Sequence, residues 1–130
     1  MDNKEIIRRA LTSLFEDYRG NDSEFIQYFS KDFRQWANGK TSNLNDLLEH
    51  FARLQASIPN RKIDFVDLVS DGRIVFDQHV VTVIRGPDKM EFVDVFAKWG
   101  VVDGLIVSCE ELTRHRDVSE SASTGIASRA

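Results

Sequence analysis

A single cysteine, two prolines, no surplus of positive charge and no long apolar run set the first limits on this chain. One cysteine, Cys109, excludes an internal disulfide and a zinc site built from several thiolates, and its plainest role is that of a small core residue. A net charge of −4 leaves no basic face to neutralise phosphates, so sequence-independent nucleic-acid binding is not expected. No stretch approaches the ~20 apolar residues of a membrane span. The start, Met1-Asp2-Asn3-Lys4-Glu5, has none of the apolar character of a signal peptide. These limits point to a cytoplasmic protein whose partner is a small molecule or another protein.

What is present is a good supply of core residues. The 130 residues are 42% hydrophobic and include nine phenylalanines, enough for one domain with a substantial interior. Asp2 followed by Glu5 has the spacing of a capping box, and Ile7, Leu11, Leu14, Phe15 and Tyr18 recur on one helical face. Gly20-Asn21 closes that helix. Asp22 is placed to cap a second, short helix bearing Phe25, Ile26 and Phe29, and a brief strand from Phe33 to Ala37 then runs into an Asn38-Gly39 turn. Ser42 or Asn43 caps a third helix with Leu44, Leu47, Leu48, Phe51, Leu54 and Ile58 along one side, and Pro59 stops it.

From Lys62 the apolar period changes to two. The runs 63–69, 74–84, 90–101 and 105–113 are rich in Val, Ile and Phe, and the turns near Asp71-Gly72, Gly86-Pro87 and Asp103-Gly104 are short enough to dictate an antiparallel meander. The fold class expected is α+β: a cone in which three N-terminal helices pack on a curved, mostly antiparallel sheet. The domain spans residues 1–116. Residues 117–130, rich in Ser and Ala, are expected to form a flexible tail.

This order of parts, with Asp32 opening the short strand and Val93-Asp94-Val95-Phe96 followed by Asp103-Gly104-Leu105-Ile106, resembles the SnoaL-like branch of the nuclear transport factor 2-like superfamily over about residues 3–114. The resemblance implies a pocket between helices and sheet. Because members of that superfamily include isomerases, epoxide hydrolases, dehydratases, cyclases and pure binding proteins, it implies no single activity. Against ketosteroid isomerase, Asp94 matches the acid on the long strand, while the tyrosine and the proton-moving aspartate fall near Leu14 and Ala37, which disfavours that mechanism. Against limonene epoxide hydrolase, the catalytic positions resemble Asp77, His79 and Glu111, with the arginine of that enzyme replaced by an acid.

Strand alternation puts Val75, Asp77, His79, Val81 and Val83 on one face of their strand. On the next strand Phe92, Asp94, Phe96 and Lys98 oppose Val93, Val95, Ala97 and Trp99. Both faces are mostly apolar, so the sheet is expected to be covered twice, by helices on the concave face and by a second copy on the convex one. Val93, Val95, Ala97 and Trp99 are expected to be the dimer stripe. Asp94, Glu111 and His79 are then the candidate catalytic groups. Trp36, Gln35, Asp77, Phe96 and Cys109 are the candidate ligand-binding residues. Two acids in an apolar cavity raise each other's proton affinity, so one serves as a neutral acid while His79 or the other acid accepts a proton. That chemistry fits isomerisation, cyclisation or dehydration of a hydrophobic carbonyl compound without metal or cofactor. The alternative is a ligand-binding or dimerisation module that uses the same pocket.

Overall fold

The computed structural model describes residues 1–58 and 60–116. The Pro59 stop and the proposed tail at 117–130 lie outside them. Helix α1 (Asn3–Thr12) begins where expected, with the Asp2 side chain accepting from the Glu5 backbone N–H, and it runs into a π-helical turn, Ser13–Asp17. Helix α2 (Ser23–Ile26) is one turn. Helix α3 (Leu44–Ser57) opens on a reciprocal capping box between Asn43 and Asp46. The expected three helices are thus corrected to two of useful length. Phe29, expected on the second helix, instead opens strand β1 (Phe29–Ala37).

Strand β1 pairs antiparallel with β2 (Lys40–Asn43) through a tight turn at Asn38-Gly39, where both residues have positive φ. The meander follows as β3 (Arg61–Asp71), β4 (Ile74–Gly86), β5 (Lys89–Val102) and β6 (Leu105–His115). The sheet order is β2-β1-β6-β5-β4-β3, and β1 runs parallel to β6. The sheet is therefore mixed, with one parallel pair among antiparallel ones. Parallel pairing follows from connectivity: β1 and β6 are far apart in sequence, so no hairpin constrains their direction.

Helix α1 packs over β3, β4 and β6, while α3 lies against β1 and β2, so both cover the same sheet face. Between helices and sheet sits the core, in which Ile7, Leu14, Phe25, Phe33, Val75 and Ile106 are almost fully buried. Each large apolar side chain there contributes roughly 1.5–3 kcal/mol of transfer free energy. Val95, Ala97 and Trp99 belong to this core, at 4–5% exposure. The other face buries Val80, Thr82 and Asp94 beside the Arg116 side chain and exposes Val69, Phe76, Phe96 and Leu112. The stripe Val93, Val95, Ala97 and Trp99, expected at a dimer contact, therefore faces the helices instead. Alternation separated the two sets of side chains correctly, but with apolar residues on both faces only the seat of the helices decides which set is inside.

Candidate functional site

Antiparallel register lays the helix-covered face out in cross-strand rows. Leu68, Asp77, Ala97 and Glu111 occupy one row, and Phe65, His79, Val95 and Thr113 the next. With strands ~4.8 Å apart, the backbones carrying Asp77 and Glu111 stand roughly 10 Å from each other, a gap their side chains can narrow. A cavity of about 120 Å³ lies over these rows, with His79, Glu111 and Gln35 among its polar lining and Leu14, Phe15, Phe51 and Trp99 among its apolar lining.

His79 is held rigidly. Its Nδ1 lies 2.9 Å and 3.0 Å from the two carboxylate oxygens of Asp77, and the Trp99 indole N–H donates to Asp77 Oδ2 at 3.0 Å. An ionised carboxylate only accepts, so its contact with the imidazole puts a proton on Nδ1 and leaves Nε2 as the ring's remaining nitrogen. Phe15 and Phe65 flank the imidazole, with centroids 6.2 Å and 5.9 Å away. Rotation of the ring is thus opposed both by packing and by the carboxylate.

Glu111 is held by different means. Gln35 Nε2 donates to its Oε1 at 3.2 Å, and the Cys109 thiol donates to the same oxygen at 3.5 Å. Burial pushes the Glu111 carboxyl above its ordinary value, opposed in part by the thiol hydrogen bond and the nearby His79. Burial also raises the Cys109 thiol, with the negative Glu111 adding to the effect, so Cys109 is a poor nucleophile. His50 stands exposed at the cavity mouth, where desolvation and then Arg53 lower its proton affinity.

Of the residues singled out by sequence, His79, Asp77, Glu111, Gln35 and Cys109 come together on this face. Asp94, Trp36 and Phe96 do not. Asp94 is on the open face, where Arg116 meets its two oxygens at 2.8 and 3.0 Å and Arg114 approaches to 3.1 Å. The Arg116 hydrogen bonds, with Arg114, hold its carboxyl below the ordinary carboxylate range despite partial burial. It is a paired structural acid, and the expected Asp94–Glu111–His79 trio is corrected to an Asp77–His79 pair facing Glu111. Trp36 and Phe96 are exposed along a shallow groove of about 420 Å³ on that same open face. Sequence reasoning passed over Phe15 and Phe51 as site residues and placed Trp99 at a dimer contact. Helical periodicity did mark both phenylalanines as inward, but the cavity they share forms only once α1 and α3 meet over β4.

Comparison with known proteins agrees with this architecture. The sequence profile of the SnoaL-like domain matches residues 7–109. An uncharacterized protein of Schizosaccharomyces pombe is 25% identical over 111 residues, covering 85% of each chain. A putative hydroxylase from Streptomyces galilaeus superposes with a TM-score of 0.69 at 13% identity, covering 87% of this chain and 91% of that one. A putative polyketide cyclase from Streptomyces antibioticus gives 0.68 at 15% identity, with coverages of 86% and 92%. At such identities the solved structures speak for the fold, whereas the domain profile speaks for descent. The chain belongs to the SnoaL-like family.

Proposed function

We propose that this protein is a small-molecule enzyme that moves protons on a hydrophobic carbonyl compound inside the helix-side cavity. The observation that carries the reading is the pairing of His79 with the buried Asp77 carboxylate at 2.9 Å, which directs the acceptor nitrogen elsewhere than the protein's own acid. In the proposed step Nε2 of His79 removes a proton from the carbon beside the carbonyl. Protonated Glu111 gives its proton to the carbonyl oxygen, which yields an enol. In an unsaturated ketone, His79 then returns its proton to a different carbon while the enol O–H gives its proton back to Glu111, which completes an isomerisation; in a cyclisation the enol carbon attacks a second carbonyl, whose oxygen takes the proton from His79 while the enol O–H again reprotonates Glu111. Asp77 positions the base and Gln35 positions the acid. The step balances without metal or cofactor. Structural relatives named as hydroxylase and polyketide cyclase are consistent with small-molecule work on this scaffold without choosing among its chemistries.

The test is deuterium incorporation into cyclohexanone in D2O, followed by NMR. The wild type is expected to accelerate exchange over buffer, and His79→Gln to abolish the acceleration. A second reading, a binding module without catalysis, draws on the fact that Asp77 and one oxygen of Glu111 already have protein partners. Saturable binding with no exchange would establish it.

We also propose that two copies associate through the open sheet face. Register places Val69, Phe76, Lys98, Glu110 and Trp36 in one row across it, with Gln78, Phe96 and Leu112 in the next. An apolar patch of this kind, crossed by the Lys98–Glu110 pair at 3.8 Å, is suited to self-complementary contact about a two-fold axis.

A further inference from the structure

We infer that the helix-side cavity selects a single six-membered ring carrying one oxygen, such as a phenol or a cyclic enone, and rejects fused multi-ring compounds. The size argument is independent of catalysis, whereas the placement of the oxygen rests on the acid–base reading above.

Size comes first. Sites for drug-sized ligands occupy ~300–1,000 Å³, and an apolar cavity of ~150 Å³ is filled by benzene. At about 120 Å³ this cavity lies below the first range and near the second figure, so a single ring with no more than small substituents exhausts it. Its boundary resists widening. Phe15, fixed in the π-helical turn after α1, meets Phe51 of α3 edge to face at 5.2 Å, and Phe29 meets Phe33 at 5.1 Å in the same manner. A second fused ring would have to part the Phe15–Phe51 contact, which joins the two helices above the sheet.

The walls also specify the ring's character. Aromatic edges and faces set nearly at right angles line a small volume suited to one compact ring. The sheet contributes Gln35, His79 and Glu111 as polar lining, and α3 adds His50 at the mouth. Nδ1 of His79 is occupied by Asp77, and Oε1 of Glu111 by Gln35 and Cys109, which leaves Nε2 and Oε2 as the atoms these two residues can offer a guest. One acceptor and one acid oxygen match one hydroxyl or carbonyl oxygen.

Titration calorimetry on the full chain with p-cresol, toluene, 2-naphthol and estradiol tests this. The expected result is one p-cresol per chain, toluene bound about tenfold more weakly for want of a hydrogen bond, and no detectable heat from estradiol. Glu111→Leu should weaken p-cresol about tenfold and leave toluene unchanged. Phe51→Ala, by opening the wall, should raise the affinity for 2-naphthol, a gain that misfolding cannot mimic. Estradiol or 2-naphthol bound by the wild type as tightly as p-cresol overturns the inference, and so does the absence of heat from all four. Single-ring binding without proton exchange on cyclohexanone retires the catalytic reading and keeps the size limit. Exchange accompanied by tight binding of 2-naphthol does the reverse.

Discussion

His79 Nδ1 sits 2.9 Å from Asp77 Oδ1 although the two residues are separated by only one other, because alternate residues of β4 share a face. Both side chains are essentially sealed, at 3% and 0% exposure. Asp77→Ala would leave the imidazole N–H and the Trp99 indole N–H without an acceptor in the interior. The expected cost is about 2–5 kcal/mol in urea unfolding, together with loss of any His79-dependent activity. A destabilisation below about 1 kcal/mol would mean that the carboxylate does not hold these donors.

Glu111 gives a pH signature of definite sign. Its folded-state proton affinity is raised by burial, so above its ordinary 4.5 the folded chain keeps a proton that the unfolded chain has released. Stability attributable to this residue therefore falls as pH rises from 4.5 through the raised value, and is level beyond it. Glu111→Gln should remove that decline. Urea midpoints measured for both proteins from pH 4 upward check it, and parallel curves would contradict the burial of the acid.

Asp94 should behave in the opposite way. Hydrogen bonds from Arg116 and Arg114 lower its proton affinity, so its stabilisation is present above the ordinary 3.8 and disappears as pH falls through the depressed value. Asp94→Asn should cost about 1–3 kcal/mol at neutral pH, the range reflecting screening at the exposed Arg114, and should converge with wild type in strong acid. Its effect on proton exchange should be small, since the residue lies on the open face.

On that face, Phe76 and Phe96 are each 53% exposed. Phe96→Lys should weaken self-association at least tenfold in sedimentation equilibrium without lowering monomer stability, because it places a charge in the contact but none in the core. Val95→Lys, one residue earlier, should instead unfold the chain, since Val95 is 4% exposed against the helices. A wild type that remains monomeric at high micromolar concentration would remove the interface.

The contrast between neighbours Val95 and Phe96 marks where the sequence stops being informative. Strand existence, turn positions and the alternation of β5 follow from Val, Ile and Phe at a period of two between Gly-containing turns, and all are present in the structure. Which side of β5 faces inward does not follow, because Phe96 is as apolar as Trp99 and the deciding contact is with a helix many residues away. Asp94 was misplaced for the same reason. Asp77, His79 and Glu111 were legible through the resemblance to limonene epoxide hydrolase, with their places along the strands counted from the Gly86 and Gly104 turns. The shrinkage of the second helix to one turn reflects competition: Phe29 gains more as the buried first residue of β1 than as a helix end.

The most direct test of the account is the nitrogen NMR spectrum of the His79 ring, recorded at a pH where the ring is neutral, with and without p-cresol. The account predicts a proton on Nδ1, a bare Nε2, and a ligand-induced shift at Nε2 alone. A proton on Nε2, or an Nε2 signal unmoved while p-cresol binds, would contradict the placement of the base.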